Sequence, residues 1–524
     1  MIRRLFSKRS IRVLLWLFVS LVTLLVLLRV WTNWSGARRW AATRAMLERE
    51  GETLDFRKLL PETPPPSQNL LAIEALDGIT EAVDHDEAKG APGAKRKALE
   101  AMKMDVMASG ARGVEKGQVT DMQTWAQYLR DSKFLSLPAQ TAAPGRDVLA
   151  ALDAKFPLLK QLADLAPQRS QAMFTPGLRE RVLPELLFSL SMRHYSGAQH
   201  LVRLLCLRAR AAMDAKQGAE AARSLLAAEK IGHACEAEPL LIGLLVGFAA
   251  ETAVNESLWA GLRDRAFSDA ELQTLHGMLS AHDLDKTVLQ AFRGELACAV
   301  SSMEYLKDVA AGRKKSAPGA EALFSGEYHR WKFVTSGTMP GGLFDQWMSV
   351  IAQEEWKHMI SPLRQGGIIA AVKAGDGMIA DLKAKEKENY LLHPDYFMAS
   401  MVLPSITSVS ASAALVQARD RQALTAIALE RFFLKHAKYP AALQELVPEF
   451  ATAVPRDPWD GQEMRYRPTA AGRYMLWCVG LDGTDDGGQV KNDVRMRSAR
   501  YLGDWTWQYE PVPAKEQTPP EKGR

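Results

Sequence analysis

The stretch AEAARSLLAAEKIGHACEAEPLLIGLLVGFAAETAVNESLWAGL, residues 219–262, decides the fold class. Alanine and leucine dominate it, and its apolar residues recur at the three- and four-residue spacing of a helix rather than alternating as in a strand. Residues 239–262 form a helix of their own, in which Gly243, Gly247, Ala249 and Ala250 permit close approach of a neighbour. Its apolar run ends at Glu251 after about twelve residues, too few to cross a bilayer, so it is expected inside a protein core. Upstream, Leu201, Leu204 and Leu205 repeat the helical spacing within 183–213, and Asp214-Ala-Lys-Gln-Gly218 breaks the pattern. Two helices joined by so short a break make an αα-hairpin. Downstream, Ser268-Asp-Ala-Glu271 is a capping box that starts another helix. Helical patterning covers about 120–308, returns over 343–387 with a break at Gly366-Gly367, and resumes after Pro404 over about 406–437. The fold class is therefore mainly α, an array of αα-hairpins, without the 34-residue period of a tetratricopeptide solenoid.

The whole chain has 524 residues, of which 47% are hydrophobic and 24% charged, enough to build several cores and too apolar for disorder. A net charge of +5 over this length does not mark a nucleic-acid binder. Four cysteines, none spaced CxxC, exclude a disulfide scaffold. Cys206, Cys235 and Cys298 fall in helical segments and are read as free core residues, with a disulfide among them left open.

At the N-terminal end, residues 13–28 (VLLWLFVSLVTLLVLL) carry no charge and lie between Arg12 and Arg29. Ile11, Val30 and snorkelling arginines extend this run toward bilayer thickness, and Trp16, Trp31 and Trp34 suit the interfaces. Arg3, Arg4, Lys8, Arg9 and Arg12 precede it, which places the N-terminus in the cytoplasm. A cleaved signal peptide would need small residues after the apolar run; Ser35 and Ala37 are present, but Trp34 and Arg38 fit poorly. The expectation is an uncleaved, single-pass signal anchor over 1–40, touching lipid through 13–28, with the bulk of the chain outside the cytoplasm. Residues 41–119 then hold a short amphipathic helix (40–50), a stiff spacer containing Pro61, Pro64, Pro65 and Pro66, and a charged insertion (84–113). The array occupies 120–405, with a mobile loop near 312–342. A long helix and a small α+β unit fill 406–509, and 510–524 is a disordered tail.

The C-terminal unit is the most specific part of the sequence. A helix face of Leu424, Ile427, Ala428 and Phe432 ends at Tyr439-Pro440 and is followed by ALQELVPEF (442–450) and VPRDPWDGQEMRYRP (454–468). Residues 464–467 and 474–479 read as two strands of a hairpin, and the second runs into Asp482-Gly-Thr-Asp485-Asp486-Gly-Gly, with Asn492-Asp493 beyond. This order resembles the C-terminal domain of type II secretion major pseudopilins: the helix ending in YP, the LxxLVP, the DPWG-like turn, and a strand entering an acidic glycine-rich loop. The resemblance covers about 75 residues, 420–494. It implies that the loop binds calcium, with Asp482, Asp485, Asp486 and Asp493 as candidate ligands. Hard oxygen donors on a flexible loop agree with that ion; a solvated acidic turn is the alternative. An EF-hand is rejected, because position 12 is Asp493 rather than Glu and a strand precedes the loop. A polymerising subunit is not expected either, since the apolar segment follows Lys8-Arg9-Ser10, lacks the prepilin-peptidase glutamate and lies far from this unit. The overall layout also resembles uncharacterised bacterial membrane-anchored proteins, through 51–55, 64–69, 238–242 and 267–272, which implies an inner-membrane location and brings no known activity.

Catalytic motifs are missing from the sequence: it has no HExxH, GxSxG or GxGxxG, and GAPGAK at 90–95 is not a phosphate loop. His194 and His200 stand six apart on different helix faces, and His276 and His282 are read as surface residues near a turn. Glu229, Glu236, Glu238 and Glu251 are read as a solvated face, with an acid pair in a groove as the alternative. Trp331, Trp347 and Trp356 are read as packing residues or a ligand groove. The expected role is binding or scaffolding for unidentified protein partners at the envelope, beside a type II secretion or pilus-like system. An envelope hydrolase with its site in a groove of the array is the competing class.

Overall fold

The computed structural model describes residues 8–76, 113–181, 192–314, 339–387, 393–489 and 503–510. The charged insertion expected at 84–113, most of the loop expected at 312–342, Trp331, Asp493 and the tail lie outside these residues.

The chain enters through α1 (Lys8–Arg49), a single helix of 42 residues. The anchor and the amphipathic helix expected at 40–50 are thus one continuous rod: no proline separates them, and the helix runs through Gly36. Over 12–31 its side chains are exposed all round, whereas Trp40 and Leu47 are buried farther along. That buried face crosses α10 (Gly341–Glu355) backbone against backbone. A methyl at Gly36 would lie 2.0 Å from the Gly342 carbonyl oxygen, so the crossing needs glycine. Asn33 Oδ1 accepts the Gly342 N–H at 2.9 Å, and Gln353 donates to Thr43 Oγ1 at 2.8 Å.

After Gly51, which ends α1 with a positive φ of 78°, the proline segment folds along the array instead of standing free. Buried Asn69 holds it there: Oδ1 accepts the Met173 N–H at 2.9 Å and Nδ2 donates to the Met173 carbonyl at 3.1 Å. Arg169 caps the carbonyls of Pro66, Asn69 and Ala72.

Four helices lead into and form the first hairpin: α2 (Met122–Asp131), α3 (Pro144–Lys155), α4 (Pro157–Leu165) and α5 (Arg193–Asp214). The turn expected at 214–218 follows, with Lys216 at φ 60°, and α6 (Gly218–Glu236) packs back on α5. Next come α7 (Leu241–Arg263), α8 (Asp269–Ser280), which opens on the expected Ser268/Glu271 capping box, and α9 (Leu284–Ala310). α10 runs through one π-helical turn, Trp356–Ile360, into α11 (Ser361–Lys387), which kinks at Gly367 where φ is 71°. α12 (Phe397–His436) is 40 residues long. It begins earlier than the sequence suggested: Pro404 lies inside it, near the N-terminal end and exposed, where a single missing N–H costs one bond.

The C-terminal sheet is antiparallel in the order β1 (Arg465–Pro468), β2 (Tyr474–Cys478), β3 (Trp505–Gln508). The first pair is the expected hairpin. Sequence reading missed β3, which pairs Trp507 with Leu476 across the segment 490–502. The chain is thus mainly helical with a small sheet at its end. One continuous apolar core links Trp40 to Tyr509, so the sheet sits on the array: Trp259 Nε1 donates to the Gln508 carbonyl at 3.0 Å and Arg419 to that of Thr506 at 2.6 Å. All four cysteines are free.

Three described helices are long and apolar enough to cross a membrane: α1, α7 and the segment 394–436. They differ in cover. None of the apolar window of α1 is buried among the described residues, whereas 67% of that of α7 is.

Candidate metal centre

α6 is alanine-rich and places Glu229, His233 and Glu236 at i, i+4 and i+7, on one helix face. That face is not solvated. Glu229 and Glu236 are buried, as is Glu251 opposite them on α7. The close approach depends on Gly247: a methyl there would fall 2.1 Å from Glu236 Cγ. His282 completes the group from the turn between α8 and α9, where Asp283 caps the N-terminus of α9. The reading of His282 as a surface residue is therefore corrected, and so is the solvated face, because the turn folds back onto the α6–α7 pair.

His282 touches both carboxylates, Nε2 at 3.1 Å from Glu236 Oε2 and Nδ1 at 3.0 Å from Glu251 Oε1. His233 Nε2 lies 3.4 Å from Glu229 Oε1 and 3.6 Å from Glu251 Oε1. The two imidazole centroids are 4.0 Å apart. One donor atom from each of His233, Glu236, Glu251 and His282 lies within 4.8 Å of all the others. Asp420 on α12 is held alongside by Asn255 Nδ2 at 2.9 Å.

The charges meet, but the hydrogen bonds do not form. Both oxygens of Glu236 and of Glu251, Glu229 Oε2 and His233 Nε2 are buried without a hydrogen-bond partner. Among the described residues, the ion-pair partners of Glu229, Glu236 and Glu251 are His233 and His282 alone. Burial raises the Glu236 carboxyl, and Glu251 adds to the rise against the pull of His282. Burial pulls His282 down, yet Glu236 and Glu251 outweigh it and push the imidazole up to about 10. His233 is raised well above the usual histidine range in the same way, by Glu229 and Glu251 against burial.

Two imidazoles and two carboxylates are the donor set of zinc and its divalent neighbours. Donors about 2.0–2.2 Å from such an ion stand roughly 3.3–3.6 Å apart in a tetrahedron, close to the spacings already present. The chemistry open to a four-donor, buried site is to cross-link α6, α7 and the start of α9.

Glu238 belongs elsewhere. It accepts from Thr175 Oγ1 at 2.7 Å and the Tyr195 hydroxyl at 2.6 Å, and lies 3.1 Å from His194 Nε2, beside a cavity of about 30 Å³. Those partners overcome its burial and lower its pKa. Trp347 is buried and donates to the Pro394 carbonyl at 2.8 Å, a packing role.

The acidic loop forms where the sequence put it. Asp485 Oδ1 accepts from Trp477 Nε1 and the Gly487 N–H, and its Oδ2 faces Arg465 at 3.3 Å. Asp482 Oδ1 accepts the Thr484 N–H at 3.1 Å. The structure adds Asp504, unforeseen in the sequence. Its Oδ2 accepts the N–H groups of Asp486 at 2.9 Å and Gly488 at 2.7 Å, while its buried Oδ1 has no hydrogen-bond partner.

No protein family, curated protein or solved structure matches the chain.

Proposed function

We propose that this chain is a single-pass, membrane-anchored envelope protein whose helical array binds a divalent transition metal through His233, Glu236, Glu251 and His282. One observation carries the reading: four donor atoms within 4.8 Å of one another, with carboxylate oxygens buried and not hydrogen-bonded. Because protein side chains supply all four donors, the ion acts as a structural clamp. The protein's role is binding or scaffolding outside the cytoplasm, and the basic residues before the uncovered apolar length of α1 support that orientation. The pseudopilin-like order of 420–494 supports a place beside a type II secretion or pilus-like apparatus, with calcium in the acidic loop at Asp482, Asp485 and Asp486 and with Asp504 as an added ligand. Envelope hydrolase activity is the second reading, favoured by the same centre, since an ion held by histidine and glutamate can activate water if a donor gives way.

The test is elemental analysis of the detergent-solubilised full-length protein, purified without chelator. The reading expects a stoichiometric transition metal in the wild type and its loss in a His233→Ala/His282→Ala variant. Metal-free wild type that stays metal-free after dialysis against Zn²⁺, Mn²⁺ and Fe²⁺ would overturn it.

A further inference from the structure

We propose that a second cation site, independent of the first, lies on the π-helical turn between α10 and α11, where Glu354, His358 and Asp381 hold a divalent metal with one coordination position open to water. Glu354 and His358 stand at i, i+4 and meet on one face of the helix. His358 Nε2 is 3.4 Å from Glu354 Oε2 and 4.0 Å from Asp381 Oδ2 on α11. The other ring nitrogen is committed: Nδ1 lies 2.9 Å from the Ala374 carbonyl and donates to it. A histidine whose one nitrogen donates to a backbone carbonyl presents the lone pair of the other, which is how metal-ligating imidazoles are oriented.

Among the described residues, none hydrogen-bonds to that lone pair. His358 is only 7% exposed, and its Nε2 and Glu354 Oε2 are both buried without a hydrogen-bond partner. Tyr396 donates to the other oxygen of Glu354 at 3.4 Å and leaves Oε2 directed at the ring. The third donor differs in character. The Asp381 side chain is 61% exposed, and Lys357 Nζ at 3.7 Å competes for the same oxygen. Three protein donors with solvent on one side make the open arrangement, in which water fills the remaining position. The π turn is the local cause: its extra residue re-aims the helix face, a distortion common at functional sites.

The probe is Co²⁺, whose visible absorption reports coordination, followed by Zn²⁺, titrated into the chelator-stripped full-length protein in detergent. Wild type should bind two equivalents. His358→Ala should bind one, and exposed Asp381→Asn, which does not threaten folding, should bind the second equivalent at least tenfold more weakly. His282→Ala should retain the equivalent that His358→Ala loses. Unchanged binding in Asp381→Asn or in His358→Ala overturns the second site. A single wild-type equivalent that His282→Ala removes would also overturn it and leave the first centre standing. A single equivalent that His358→Ala removes would confirm this site and overturn the first.

Discussion

His282→Ala removes a side chain that touches both Glu236 and Glu251, through contacts of 3.1 and 3.0 Å. With a metal in the centre, the size of the effect follows from linkage. An ion present at 1,000 times its dissociation constant stabilises the folded state by about 4 kcal/mol. At roughly 2–4 °C per kcal/mol for a unit of 150–250 residues, the loaded array melts about 8–16 °C above the stripped one. The variant keeps three donors and loses most of that increment, so chelator narrows the gap between wild type and variant. If protons rather than a metal hold the centre, removing an imidazolium between two buried carboxylates costs about 3–5 kcal/mol, and chelator leaves that gap unchanged.

The pH dependence separates the two cases by sign. Held by protons, His282 has a folded pKa of about 10 against about 6.5 unfolded. Its contribution is then fully present below pH 6.5 and is lost as pH rises through 10, so the gap between wild type and variant narrows over that window. Held by a metal, the imidazole must first give up its proton, so the gap widens from pH 6 to pH 8. Scanning calorimetry of the full-length protein in detergent, with and without EDTA, reads both effects. A gap between wild type and variant that EDTA leaves unchanged and that narrows at high pH refutes the metal centre.

Three further outcomes are expected. Burial raises the Glu295 carboxyl against the Leu241 N–H it accepts at 3.2 Å. The stability linked to its proton is thus present below about pH 4.5 and lost as pH rises through the raised value, and Glu295→Gln should gain on wild type by about 1.4 kcal/mol per pH unit within that window. Urea denaturation at pH 5 and pH 7 checks this, and an equal difference at both would contradict it. Gly36→Ala should cost about 1–3 kcal/mol by forcing α1 off α10, measured as a lower melting temperature; a neutral effect would mean the crossing is looser than described. Millimolar Ca²⁺ should raise the melting temperature of the full-length protein and fail to do so in Asp504→Asn, and no shift in the wild type would remove the loop as a calcium site.

What the sequence revealed was local. The turn at 214–218, the Ser268/Glu271 capping box, the Gly367 kink and the first β-hairpin each depend on residues within a few positions of one another. The centre does not. Its donors come from two helices and a turn, and spacing arguments applied to one helix at a time leave His233 and His282 unrelated. The one signal in the sequence was Glu251, a carboxylate interrupting a long apolar helix, with Glu229-x3-His233-x2-Glu236 on an alanine-rich neighbour. Charged residues are so often solvated that this pattern is overruled unless the packing of α6 on α7 is known. β3 was hidden for a related reason: its partner strand precedes it across 490–502. The proline segment read as a spacer because the pairing of Asn69 with Met173 joins residues 104 positions apart.

The position of the centre suggests why an array should hold charge in its core. Apolar residues at 233, 236, 251 and 282 would pack at least as stably, since a buried ionic cluster seldom outperforms a hydrophobic one. What apolar residues would not provide is an adjustable joint. α12 is a rod about 60 Å long at 1.5 Å per residue. Just before its first residues, Asp395 meets Arg39 of α1 at 2.7 Å, while about two-thirds of the way along Gln422 donates to the Trp505 carbonyl of the sheet at 2.6 Å. Between these points it meets the centre, through Asp420 and Asn255, the latter one turn beyond the ligand Glu251 on α7. An ion that draws Glu251 toward α6 would therefore also set where α12 lies, and with it how the C-terminal sheet stands relative to α1.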